Sequence, residues 1–276
     1  MLVKPIKKHL FCFCLITIYS CFILSCNKCQ ENTNSEIIET GIYLEKNISS
    51  NGLNLPYRIL YPHNFNPNDK FPVLFFLHGA GERGNNNSSQ LTYGSQMFLD
   101  SIDSYPAIII YPQCASNQWW ANNSNGDVLP NGFPPFTATN LEPIHSSIQL
   151  LELLIDSISA LPYIDTKRIY IAGLSMGAMG TTQILSKKPD LFAAAAIIAG
   201  IAPLHFSENL KQTPSSIYHG LQDDIVLPNH SQDYFLAIDD STQKHRLTLY
   251  TGVGHNSWTS AFNEPDFLSW IFSKTR

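Results

Sequence analysis

Two short segments constrain this chain's fold more than any others. Phe71-Pro72-Val73-Leu74-Phe75-Phe76-Leu77 and Ala107-Ile108-Ile109-Ile110-Tyr111 are apolar throughout rather than at every second position. A strand with one wet face alternates in polarity, whereas a strand with no polar face must be covered on both sides. From Leu141 the period changes. Leu141, Ile144, Ile148, Leu151, Ile155 and Ile158 recur at intervals of three and four, the stripe of a helix that Leu161-Pro162 terminates. Arg168–Ala172 predicts a strand, and Ser175–Lys188 a helix stopped by Pro189. Strands at Phe192–Ala199, Ser215–His219 and Arg246–Tyr250 alternate with helices at Ser231–Ile238 and Trp258–Phe272, the last broken near Pro265. Strands alternating with helices imply an α/β fold, with a mostly parallel central sheet and helices on both faces. Two earlier extended segments, near Ile37–Leu44 and Leu53–Tyr61, have only an Asn51-Gly52 turn between them. They are expected to pair antiparallel at one edge.

The chain has 276 residues, 44% of them hydrophobic, enough for one large core between 37 and 276. The first residues have a different character. Lys4, Lys7 and Lys8 precede an uncharged apolar run from Leu10 to Leu24, which Ser25 and Cys26 end. The pattern predicts an export signal over residues 1–25, too short for a comfortable membrane span. Ile23-Leu24-Ser25-Cys26 resembles a bacterial lipobox, so Cys26 is the expected lipidation site, followed by a polar tether to residue 36. This predicts the cell envelope, as a membrane-anchored lipoprotein or a secreted protein. Five of the six cysteines lie at or before Cys29, which leaves no disulfide framework for the domain. The net charge of −5 and the lack of a basic patch exclude nucleic acid as an expected partner. Residues 115–139 interrupt the alternation as an Asn-, Gly- and Pro-rich loop carrying Trp119 and Trp120, expected to wall a pocket.

Gly173-Leu174-Ser175-Met176-Gly177 follows an apolar strand and opens a helix. In that context a Gly-x-Ser-x-Gly turn holds its serine in a strained conformation with the hydroxyl exposed. Small residues that merely permit tight packing would give the same pattern. A serine hydroxyl needs a base to take its proton. His255 lies in a glycine-containing loop just after a strand, where no other histidine has so suitable a position. The acid that orients the base comes from His219-Gly220-Leu221-Gln222-Asp223-Asp224, with Asp223 preferred and Asp224 the alternative. Developing oxyanion charge needs backbone N–H donors. Met176 supplies one, and the loop His78-Gly79-Ala80-Gly81-Glu82-Arg83-Gly84 supplies the other at Ala80 or Gly81. The histidines lack the spacing of metal ligands and no cysteine pair follows Cys29, so neither metal nor cofactor is expected.

Together these motifs, with Tyr111-Pro112-Gln113-Cys114 and Gly254-His255-x-x-Trp258, resemble one branch of the α/β-hydrolase superfamily. It is the phospholipase/carboxylesterase-like group, often labelled predicted peptidases, and it is similar to esterases that deacylate polysaccharides. The resemblance implies an α/β-hydrolase fold and a serine hydrolase acting on small or carbohydrate-linked esters through an acyl-enzyme. It favours Asp223 as the acid, Ala80 and Met176 as oxyanion donors, and Trp119 or Trp120 as a wall of the substrate pocket. Ala178 stands where many relatives have a second glycine after the serine turn, and Leu227 where many have proline. A serine peptidase of the same fold and a catalytically silent carbohydrate-binding lipoprotein are the alternative readings.

Overall fold

The computed structural model describes residues 38–122, 142–143, 145–239 and 242–276. The expected signal, Cys26 and the tether lie outside these residues, as do Leu141, Ile144 and most of the 115–139 loop.

The strands are β1 (Tyr43–Ser50), β2 (Leu53–Leu60), β3 (Phe71–Leu77), β4 (Ile108–Pro112), β5 (Ile164–Leu174), β6 (Ala194–Ile198), β7 (Ser215–Gly220) and β8 (Arg246–Tyr250). They form one eight-stranded sheet in the order β1-β2-β4-β3-β5-β6-β7-β8. β1 and β2 pair antiparallel and join the sheet antiparallel to β4, whereas every pairing from β4 to β8 is parallel. The hairpin therefore forms the expected edge. β1 starts later than its sequence pattern suggests, because Glu45, Lys46 and Asn47 face solvent along an edge strand and blur the apolar signal.

The helices are α1 (Ser95–Asp100), α2 (Ser146–Ser159), α3 (Met176–Lys187), α4 (Ser207–Leu210), α5 (Asn229–Ile238), α6 (Trp258–Phe262) and α7 (Phe267–Phe272). The continuous apolar strands divide their residues between the two faces. Val73, Phe75 and Leu77 of β3 pack with Ile110 of β4, Ile171 of β5 and the apolar sides of α2, α3 and α5. Leu74 and Phe76 pack with Tyr111, Tyr170, Phe98 of α1 and residues of α6 and α7. α2 begins at Ser146, because His145 before it holds an extended backbone with φ −109° and ψ 138°.

The strand order reverses between β3 and β5. The chain leaves β3 for β4 on one side and returns to β5 on the other. Loops leaving such a pair diverge and open a crevice beyond the carboxyl ends of the strands.

Candidate active site

Ser175 sits between β5 and α3 with φ 52° and ψ −119°, a strained backbone for a non-glycine residue. Its N–H donates to the Ile198 carbonyl at 2.8 Å, which ties the turn to the neighbouring strand. The turn needs its glycines. A Cβ on Gly177 would stand 2.0 Å from the Leu77 carbonyl oxygen, so α3 starts in direct contact with the end of β3. Ala178 is accommodated by Gly200, on which a Cβ would lie 2.4 Å from that of Ala178.

Ser175 Oγ lies 2.9 Å from His255 Nε2, and His255 Nδ1 lies 2.7 Å from Asp223 Oδ2. Three side chains from separate loops are thus linked in one hydrogen-bonded relay. With a carboxylate at Nδ1, that nitrogen carries the hydrogen and Nε2 is free to accept from the serine hydroxyl. The T-shaped contact of Trp258, with ring centroids 5.4 Å apart, borders the imidazole.

Asp223 is buried, whereas Asp224 is exposed and has no hydrogen bond to His255. Asp223 Oδ1 accepts the Ile225 and Val226 N–H groups, each at 2.9 Å, and Oδ2 also meets His219 Nε2 at 3.1 Å. Burial works against the carboxylate's charge. The hydrogen bonds from His219 and His255, the attraction of His255 and the Val226 N–H outweigh it and hold the acid well below the usual carboxylate range. His219 is the site residue that sequence reasoning passed over. Its only signal was its place in the motif leading to the acid.

The loop after β3 arrives beside Ser175. A Cβ on Gly79 would lie 3.7 Å from Ser175 Cβ, and Ala80 opens the single-turn helix 80–82 that follows. Met176 is the first residue of α3, where a helix leaves its N–H groups without intrahelical partners. The Ala80 carbonyl accepts from Arg83 Nε at 2.8 Å, and the guanidinium lies 4.8 Å over the Trp119 ring. His78 is buried beneath the loop. Its Nε2 accepts the Cys114 N–H at 2.9 Å and its Nδ1 bonds the Gly79 carbonyl at 2.6 Å. Burial, together with Arg83, lowers its pKa to about 4 despite the bond to Gly79, so the ring is neutral at pH 7.

The two tryptophans part company. Trp119 is half-buried against Arg83. Trp120 does not wall a pocket. It is fully buried and edge-on to His78 with centroids 5.3 Å apart, and its Cβ lies where a side chain on Gly180 of α3 would come within 2.5 Å. The expectation that Trp120 walls a pocket is corrected accordingly: its indole belongs to the buried core, and the absence of a side chain at Gly180 lets the Trp120 segment approach α3 closely. Among the described residues no group of three or more His, Cys, Asp or Glu side chains is arranged to hold a metal ion, and no helix is long and apolar enough to cross a membrane.

Among known proteins, the chain is 39% identical over 203 residues to poly(3-hydroxyalkanoate) depolymerase C of Paucimonas lemoignei, covering 66% of this chain and 45% of that one. It is 26% identical over 246 residues to feruloyl esterase B of Thermothelomyces thermophilus, covering 76% and 78% of the two chains. Among solved structures it superposes on a thermostable esterase with TM-score 0.71 at 29% identity, covering 85% of this chain and 63% of the other. The chain therefore spans less than half of the depolymerase and under two thirds of the solved esterase. The phospholipase/carboxylesterase family profile matches residues 66–268, which include all three members of the hydrogen-bonded relay, and the chain belongs to that family.

Proposed function

We propose that this chain is an exported serine hydrolase that cleaves carboxylic esters through an acyl-enzyme. The observation that carries the reading is the relay itself, 2.9 Å from Ser175 Oγ to His255 Nε2 and 2.7 Å from His255 Nδ1 to Asp223 Oδ2. Ser175 Oγ attacks the ester carbonyl while His255 takes its proton. The Met176 and Ala80 N–H groups receive the oxyanion, and Asp223 stabilises the imidazolium. His255 then protonates the departing alcohol as its bond to the acyl carbon breaks. Water repeats the sequence on the acyl-enzyme, giving up its proton to His255, and releases the carboxylic acid and free Ser175. Each well-placed oxyanion donor contributes about 3 kcal/mol to lowering the barrier.

The substrate class we propose is a small-acyl, aryl or carbohydrate-linked ester, with Trp119 bordering the pocket. Similarity to a feruloyl esterase and to a poly(3-hydroxyalkanoate) depolymerase supports esters over peptides. Export and attachment through a lipidated Cys26 rest on the basic start, the apolar run and the Ile23–Cys26 motif.

Hydrolysis of p-nitrophenyl acetate tests the chemistry, with a fluorophosphonate probe as the second readout. Both turnover and labelling are expected to vanish in Ser175→Ala. Undiminished turnover in that variant defeats the reading, and preferential cleavage of peptide amides moves it to a peptidase. Labelled palmitate incorporated by the natural chain but not by Cys26→Ser tests the anchor.

A further inference from the structure

His219 is the penultimate residue of β7 and is wholly buried. Its Nε2 lies 3.1 Å from Asp223 Oδ2 and 2.8 Å from the Val226 carbonyl oxygen. Both neighbours are acceptors, so Nε2 carries a hydrogen and shares it between them. Nδ1 lies 2.6 Å from Ser231 Oγ on α5. With a partner on each nitrogen, the ring cannot flip without breaking hydrogen bonds in a buried place.

The Asp223 carboxylate consequently has every direction occupied. Backbone N–H groups hold Oδ1, and two imidazoles, His219 and His255, share Oδ2. Rotation about the last bond of an aspartate is intrinsically broad, so the carboxylate plane is set by what bonds to it. Of the two partners on Oδ2, His255 sits on a loop and must act on Ser175, while His219 is fixed in the sheet. Val226 completes the brace, since its N–H holds Oδ1 and its carbonyl accepts from His219.

We propose that His219 is a positioning residue for the reaction. It holds Asp223 Oδ2 where His255 Nδ1 meets it, and Ser231 is its anchor on α5. The proposal rests on the Ser175–His255–Asp223 reading above and adds a second imidazole that touches no substrate.

The test is steady-state kinetics on p-nitrophenyl acetate, with melting temperatures, for His219→Leu, His219→Gln and Ser231→Ala. Each is made in the natural chain and in an Asp223→Ala background. In the natural chain His219→Leu is expected to lower kcat about 30-fold with KM unchanged, and Ser231→Ala about threefold. His219→Gln, whose amide N–H reaches a similar place, recovers most of the loss. In the Asp223→Ala background none of them changes kcat by more than about twofold, because the group they position is gone. Equal fold-losses in both backgrounds, or a loss confined to KM, would overturn the proposal. If His219→Leu fails to fold, Ser231→Ala and His219→Gln decide it, and an unchanged kcat in Ser231→Ala counts against it. Full activity of Ser175→Ala or Asp223→Ala would instead defeat the underlying reading.

Discussion

Gly173 and Gly177 meet across the turn that carries Ser175: a Cβ on Gly173 would stand 2.3 Å from the Gly177 carbonyl oxygen. On the other side of that turn Gly177 has no room against Leu77. In both cases the obstruction is backbone, which cannot swing aside as a side chain can. Gly173→Ala and Gly177→Ala are each expected to destabilise the fold by about 3 kcal/mol or more. Gly81 has nothing within 4 Å of the corresponding position, so Gly81→Ala should stay within about 0.5 kcal/mol of the natural chain. Urea denaturation of the three variants checks this, and equal losses in all three would refute the steric argument.

Asp223 and Asp224 are adjacent in the chain and opposite in environment, one buried on His255 and the other exposed. Asp223→Asn removes the charge that holds the imidazole's tautomer and is expected to reduce kcat about 10⁴-fold. Asp224→Asn should change it less than about twofold. Ester hydrolysis by the two variants separates the carboxylates, and comparable losses would reject the assignment.

The parts of the molecule legible in sequence are those where one local pattern carries the meaning. β3 and β8 have the limits their composition predicts, because an unbroken apolar run and a compact extended segment each end at polar turns. Ser175 stands between glycines whose side chains would strike backbone, and His255 follows a loop that turns at Gly252 with φ 80°. The choice between Asp223 and Asp224 was not local, since it depends on which carboxylate the loop turns inward. His219 was hidden for the same reason: its partners Ser231 and Val226 come from later segments and meet it only once α5 has packed. α1, at 6 residues, is too short to display a periodicity. Trp120 resembles its neighbour in sequence because nothing in residues 115–122 reveals that this segment will pack closely over Gly180 of α3.

His78 makes stability depend on pH in a definite direction. Its pKa in the fold is about 4, below the ordinary 6.5. Between those values the unfolded chain binds a proton that the native ring does not, so stability rises with pH across the window and falls as the medium is acidified through it. Each pH unit within the window contributes about 1.4 kcal/mol. Going from pH 7 to 4.5, the natural chain is expected to lose on the order of 2 kcal/mol more than His78→Gln, which has nothing to protonate there. Urea titrations at the two pH values measure the difference. Equal losses would mean that the buried imidazole accepts its proton without leaving the fold.

Trp119 and Trp120 should respond differently to truncation. The Trp120 indole N–H has no acceptor among the described residues, so that side chain contributes packing, and the space it fills is bounded by His78 and Gly180. Trp120→Ala is expected to cost about 3–5 kcal/mol of stability. Trp119 is half-buried, packs partly against the core and lies under the Arg83 guanidinium, so Trp119→Ala is expected to cost less stability than Trp120→Ala, about 1–2 kcal/mol. A second effect is expected in catalysis. Arg83 holds the Ala80 carbonyl, and a guanidinium released from the indole holds it less firmly, which loosens the Ala80 N–H proposed to meet the oxyanion. Trp119→Ala is therefore expected to lower kcat by about tenfold with a smaller loss of stability than Trp120→Ala, a fraction of what removing a whole oxyanion donor costs. Paired melting curves and p-nitrophenyl acetate kinetics distinguish the roles. A Trp119→Ala protein with full kcat would uncouple the indole from the loop, and a Trp120→Ala protein of natural stability would contradict the packing that takes this residue out of the pocket.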